Sequence, residues 1–476
     1  MVEQRKDGRG LRAILCLLAS AAGSSPAPAQ AADVPSAATP PAFYVSPGGC
    51  DEHDGGFARP FATLTRALTA MQGSHTHLTL VEGGRYTVSA TIVLGPRAAG
   101  VSLVAYPGQH PVLDAQGAAL GAILALDRAN GVTIAGLGFT ATAPGTAALR
   151  LSASNHAAII ANRFTQVGTG ISLSNSSDSL ISGNLIENAA HTGIEAADGS
   201  DRNRFDSNLV DGAGGPETHG GGIMLHGATG DSVTHNLIQN TGGLGIGVLN
   251  WDDATINRDT LVAFNIVRDV DRSATDSGAI YVLGRSRADT RMVIAGNLVD
   301  GSGRADQHSV GIYLDDSTNG VSVAGNIVRN AGSDALQIHG GSNDRLVGNI
   351  FDLGAGTASA VLFQAAPADT HPDNAQAGNL VRGNIIASSR KTGKIFVWLD
   401  GGKPEISGNL YYDALGGAMA MPAQAADTAP RTGDPRFADA AHGDYTPLPG
   451  SAAAAIGFDV IDGGSMGLHP LTAHAY

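Results

Sequence analysis

A three-residue phrase, Asn then any residue then a large apolar one, recurs along this chain, with ten copies in one series. Its asparagines are Asn162, Asn184, Asn208, Asn236, Asn265, Asn297, Asn326, Asn349, Asn384 and Asn409. Successive spacings are 22, 24, 28, 29, 32, 29, 23, 35 and 25 residues. A floor in the low twenties with variable excess describes a constant coil carrying loops of different length. Such a coil cannot bury an apolar face alone and must stack on its neighbours. Leucine-rich repeats share the period, but their leucine framework is absent. Ile and Val at the repeated positions, with Gly before the phrase, predict short strands between sharp turns. The expected fold is all-β, a single-stranded right-handed parallel β-helix. Equivalent strands of successive coils pair in parallel about 4.8 Å apart. An Asn buried at the same turn of every coil satisfies its amide on the Asn above and below. The asparagines therefore read as structural.

Composition shifts divide the rest. Arg5, Lys6, Arg9 and Arg12 form a basic region that runs into an apolar stretch over 11–22, too short to span a membrane. Small residues around Ala29-Gln30-Ala31 suit cleavage, so 1–31 reads as a signal peptide and 32–41 as a Pro/Ala linker. Residues 42–77 are expected to form an N-terminal cap, 78–420 the β-helix and 421–476 a C-terminal cap over the last coil. Phe61, Leu64, Leu68 and Met71 recur at helical spacing, predicting an amphipathic helix over 61–71 that covers the first open edge. The acidic loop of Asp51, Glu52 and Asp54 reads as solvated rather than as a cation site. The expected setting is secreted or periplasmic, with no membrane span and a monomeric chain. Beyond the signal only Cys50 remains, so no internal disulfide is expected. A net charge of −14 argues against nucleic acid, whose phosphates would be repelled.

Two near-copies of one phrase stand out, D-S-G-A-I-Y-V-L over 276–283 and H-S-V-G-I-Y-L-D-D over 308–316. A variant, D-A-L-Q-I-H-G-G, follows over 334–341. In a β-helix, residues at one repeat position form a line along the surface. Taking Ile223, Ile246, Ile280, Ile312 and Leu336 as inward, the next residues point outward: Met224, Gly247, Tyr281, Tyr313 and Gln337. Two further on, the outward line is His226, Leu249, Leu283, Asp315 and His339. Asp276 and His308 become neighbours, Asp316 sits at a strand exit, Arg285 leaves the same face, and Trp251 and Asp252 lie on a loop one coil below. Exposed strands need no such mixture for stability. Sugar sites do, because aromatics stack on apolar sugar faces and carboxylates do acid–base work. The expected partner is a polysaccharide or oligosaccharide. Tyr281, Arg285, His308, Tyr313, His339, His226, Trp251 and Asp252 are the candidate binding residues. No metal site and no cofactor are expected, calcium being compatible with Asp315-Asp316 but not required.

These phrases, with Y-V-S-P-G-G and P-F-A-T-L-T-R-A-L near the start, resemble exported bacterial right-handed β-helix proteins. The similarity covers most of residues 42–460. It is closest to the β-helix glycoside hydrolases, the group with α-fucosidase- and xylosidase-type members. The chain departs from that group in being shorter, without an obvious accessory β-domain, and in carrying Cys50. The resemblance implies that Asp276 and Asp315 or Asp316 supply the catalytic carboxylates. In register these stand seven positions apart, about 23 Å along a straight strand. The pair therefore requires the chain to turn near Ser277-Gly278. A polysaccharide lyase or uronate C5-epimerase is the alternative enzyme, with Arg285, His308 or Tyr313 as base; no Lys occurs between residues 7 and 390. A non-catalytic carbohydrate-binding surface protein is the third reading.

Overall fold

The computed structural model describes residues 42–72, 74–215, 220–252, 256–354, 356–366, 376–389, 394–398, 402–416 and 426–469. The expected signal peptide and linker lie outside them. The chain winds as a right-handed parallel β-helix. One face is a 14-stranded parallel sheet running from Ala42–Val45 to Glu405–Ser407. The other two faces join through Arg163–Ser174 and Leu185–Ala197, strands of 12 and 13 residues that run round the corner between them. Ile159, Ile181, Phe205 and Val233 stack in one inward column and are fully buried.

The asparagine ladder lies where the spacing places it. Asn265 Nδ2 donates to Asn297 Oδ1 and to the Val233 carbonyl, each at 2.9 Å. Its own Oδ1 accepts the backbone N–H and Nδ2 of Asn236, both at 2.9 Å. The pattern ends on Asp427, whose Oδ2 accepts the N–H and Nδ2 of Asn409 at 2.9 Å and the Tyr411 hydroxyl at 2.8 Å. A carboxylate suits that place because it only accepts, and nothing further along must be donated to. A second buried column carries Ser179, Asn203, Asp231, Asp344 and Asn379. Burial pushes the Asp231 carboxyl up to about 8 and Asp344 well above the usual range. Both occupy this column as acids standing in for amides.

The helix spans Leu64–Met71 and buries Leu64, Ala67, Leu68 and Met71. It starts later than Phe61 because Phe61 bridges Val45 and Thr63 caps the first turn, its hydroxyl accepting from Arg66 N at 3.1 Å. Asp51 braces this start by accepting from the N–H of Ala62 and Thr63, each at 2.9 Å.

The C-terminal segment does more than close the last coil. Arg431–Thr432 pairs with the strand Leu410–Asp413. The chain then returns along the flank of the solenoid, where Tyr445, Ala453 and Met466 pack on Ile327, Ile350, Ile385 and Leu410. Tyr445 donates to Asp352 at 2.6 Å, and Gly467 N reaches the Phe264 carbonyl at 2.8 Å. The reason lies in the middle residue of the repeated phrase, which points outward and is apolar in these coils. That apolar line needs cover.

Candidate active site

Four neighbouring strands build the site: Leu244–Asn250, Ser277–Gly284, Ser309–Asp315 and Leu336–His339. Their register pairs Ile246 with Ile280, Ile280 with Ile312 and Ile312 with Leu336, as the repeat alignment predicts. These residues are fully buried in the solenoid core. Alternation then aims Tyr281, Tyr313 and Gln337 to the outside. The outside is not open here. Tyr313 is 2% exposed, Gln337 0% and Asp315 5%. Met224, Leu244, Leu249 and Leu283 form a separate apolar cluster on this outer face, with Trp251 and Tyr281 packed against it. Gly247 leaves the space that the Met224 methyl fills, since a Cβ there would sit 2.4 Å from it.

One cluster centres on Asp315. Its Oδ2 accepts the Tyr281 hydroxyl at 2.5 Å, and its Oδ1 meets His339 Nδ1 at 2.6 Å and the Asp316 N–H at 2.7 Å. Arg285 Nε donates to Asp316 at 2.7 Å, and its guanidinium lies 5.1 Å over the Trp251 ring. Burial lowers the affinity of His339 for a proton, but the Asp315 hydrogen bond and the charges of Asp315, Asp316 and Asp276 outweigh it, and its pKa is raised. His339 Nε2 is buried with no hydrogen-bond partner among the described residues. Donor atoms of Asp315, Asp316 and His339 lie within 4.8 Å of one another, close enough to hold a cation. Arg285 and the imidazole already compensate these carboxylates.

A second cluster centres on Asp276. The chain turns at Asp276 itself, with φ 52°, one residue before the expected place. Its Oδ1 meets His308 Nδ1 at 3.0 Å and accepts the Tyr313 hydroxyl at 3.3 Å. His308 repeats the turn on the next coil, with φ 50°. Left-handed residues such as Asn240 and Asn330 stand at a different corner, the one that aligns with Asp269. His308 Nε2 meets Gln337 Oε1 at 2.7 Å, while Gln337 Nε2 donates to Gln364 Oε1 at 3.1 Å. The imidazole thus faces an acceptor on both sides, which favours its doubly protonated form. The His308 hydrogen bond holds Asp276 below the usual carboxylate range, and Asp276 in turn raises His308, with Gln337 adding to it.

Tyr313 joins the clusters. Its hydroxyl donates to Asp276 at 3.3 Å, and the charges of Asp315 and Asp276 both act on it. The two carboxylates therefore act on the same phenol. The turn at Asp276 and the length of the tyrosine side chain make this possible across the repeat strand. The Tyr281 and Tyr313 rings meet edge to face with centroids 5.3 Å apart, so they are not a flat ladder. Burial first, and then the charge of Asp315, push both phenols far above their ordinary value. They stay protonated and donate.

The structure thus brings together Asp276, Tyr281, Arg285, His308, Tyr313, Asp315, Asp316 and His339, with Trp251 beside Arg285. His226 stands apart. It lies three coils from Asp315, about 14 Å along the axis, with Glu195 3.8 Å from its Nε2. Asp252 is exposed on the neighbouring loop. Gln337, outside the candidate binding residues, stands in the outward line with Tyr281 and Tyr313 and belongs to the site through His308. Gln364, one coil on, fixes its amide.

The Asp276–His308 pair has a pH signature. A raised His308 contributes stability below its ordinary value near 6.5 and loses it as pH rises through the raised one. A lowered Asp276 contributes above its ordinary value near 3.9 and loses it as pH falls through the depressed one. The pair is therefore most effective between these values. Asp276→Asn should lower the His308 pKa, and Gln337→Leu should lower it less. Imidazole NMR titration reads both, and an unmoved His308 in Asp276→Asn would refute the pairing.

A family model described as "Right handed beta helix region" matches residues 117–261, which end before the strand Ser277–Gly284. No curated protein matches the chain. Among solved structures, "The complex structure of XylC with xylose" aligns with TM-score 0.53 at 10% identity, over 83% of this chain and 87% of that one. "Crystal structure of Agl-KA catalytic domain" aligns with TM-score 0.53 at 12% identity, over 78% of this chain and 69% of that one. The "Azotobacter vinelandii Mannuronan C-5 epimerase AlgE6 A-module" aligns with TM-score 0.46 at 15% identity, over 78% of this chain and 94% of that one. The structural neighbours are β-helix carbohydrate-active enzymes, glycoside hydrolases and an epimerase among them. At these identities the likeness is one of fold.

Proposed function

We propose that this chain hydrolyses glycosidic bonds in neutral oligosaccharides or polysaccharides, with Asp276 and Asp315 as its carboxylate pair. The observation that carries the reading is that both carboxylates act on the Tyr313 phenol, Asp276 through a hydrogen bond at 3.3 Å and Asp315 through its charge, and glycoside hydrolysis uses two carboxylates within about 10 Å. Asp276 is the more exposed of the two and is held ionised by His308, which suits a nucleophile or a base for water. The proton for the leaving oxygen belongs to the coupled Asp315–His339 pair. Tyr281 and Tyr313 donate hydrogen bonds, and Trp251 with Tyr281 offers aromatic surface to a sugar face. The basic and then apolar stretch from Arg5 to Ala22 supports an exported location.

Two features weigh against the lyase or epimerase alternative. A tyrosine base needs a lowered pKa, and both phenols here are raised. Three carboxylates balanced by one guanidinium and two imidazoles leave no surplus positive charge for a uronate. The test is a panel of aryl glycosides and neutral polysaccharides beside pectate and alginate. Release of aglycone or reducing sugar from a neutral substrate is expected. An unsaturated, ultraviolet-absorbing product from a uronate polymer would replace this reading with the lyase one. Binding of a neutral glycan without turnover would replace it with the non-catalytic one.

A further inference from the structure

Near the first coils a cleft of about 250 Å³ is lined by Tyr44, Phe57, Pro60, Glu82, Tyr106 and Gln109. Its floor is the outward row of the 14-stranded sheet, where Tyr44 pairs with Leu80 and Leu80 with Val104. Three aromatic rings converge on it. Phe57 and Tyr106 stack at 27° with centroids 6.3 Å apart, and Tyr44 meets Phe57 edge-on at 5.3 Å. Phe57 is 69% exposed, a large apolar surface that folding alone does not explain. The loop carrying it is held in place: Tyr44 N donates to the Gly55 carbonyl at 2.8 Å and Phe61 N to the Tyr44 carbonyl at 2.9 Å.

The polar groups at the rim are few and oriented. Gln109 Oε1 accepts the Gly83 N–H at 2.5 Å, which leaves Nε2 as a donor. Glu82 is exposed and adds an acceptor. Flat aromatic surface flanked by one amide donor and one carboxylate acceptor matches a neutral saccharide, whose C–H faces are apolar and whose hydroxyls both donate and accept. The carboxylate and the net charge of −14 disfavour an acidic polymer or an anionic membrane. Seven strand spacings separate this cleft from the coil of Asp315, about 34 Å along the axis.

We infer that this aromatic cleft is a second saccharide-binding site, which anchors a neutral polysaccharide chain remote from the carboxylate pair. The inference rests on the carbohydrate reading of the chain but not on its turnover. Affinity electrophoresis of the full chain in gels containing arabinoxylan, dextran or laminarin tests it. At least one of the three should retard the wild type. Phe57→Ala and Tyr106→Ala should weaken that retardation about fivefold or more, while Asp276→Asn leaves it in place. Phe57 is exposed, so its replacement should leave the thermal midpoint unchanged. Retardation by none of the three, or equal retardation of Phe57→Ala and wild type, overturns the inference. Retardation that depends on Phe57 in a chain with no hydrolytic activity would keep this site and refute the hydrolase reading.

Discussion

Asp276→Asn and Asp315→Asn should each lower glycoside turnover by about 10²–10⁴-fold, the range for loss of a positioned acid, base or nucleophile. Each substitution keeps the shape of the side chain and removes its charge. Asp276→Asn also releases His308 from its ion pair, and Asp315→Asn loosens His339 and Tyr281. Both variants should keep the wild-type circular dichroism spectrum, because the strands and the ladder are untouched. The useful contrast is with His226→Gln and Asp252→Asn. His226 lies about 14 Å along the axis from Asp315, and Asp252 is exposed on its loop, so both variants should retain turnover within about threefold. Asp276→Asn with near wild-type turnover would remove that carboxylate from the chemistry and break the proposed pair.

The largest stability effect is expected in the ladder. Asn265→Leu removes the acceptor for two Asn236 donors and the donor to the Val233 carbonyl, all in a dry interior. Each buried group left unpaired costs about 1–3 kcal/mol, so the loss should reach several kcal/mol. Ile280→Val, one core methyl group smaller, should cost about 0.5–1.5 kcal/mol. A solenoid need not unfold in one step. Hydrogen exchange at the coils of Asn236 and Asn297 is therefore a better readout than one global midpoint. Equal protection in Asn265→Leu and Ile280→Val would mean that core packing, and not the amide column, holds the coils.

The repeat made the solenoid legible because its period carries physical information. One Asn per coil must find partners, and at that depth they are the neighbouring asparagines and a backbone carbonyl of the coil before. Strand alternation then assigns sides, which is why Ile280, Ile312 and Leu336 fall inward and Tyr281, Tyr313 and Gln337 outward. It also puts Asp276 beside His308 and Asp315 beside His339. Alternation says nothing about what covers the outer face. That the outward Tyr313 and Gln337 are buried, or that the C-terminal segment lies along Ile327, Ile350 and Ile385, depends on loops and distant chain that no local pattern encodes.

By itself, the sequence determined the coil, its register, the asparagine column and the set of polar residues sharing one face. Each follows from a local periodicity of two residues or of one coil. Tertiary structure alone decided that Asp276 and Asp315 act on one tyrosine. Their separation along a straight strand is about 23 Å. A left-handed turn at Asp276 and the reach of Tyr313 from the next coil place that phenol 3.3 Å from Asp276 and under the charge of Asp315 as well. Backbone angles at a corner and side-chain reach between coils are not periodic, so no repeat could announce them.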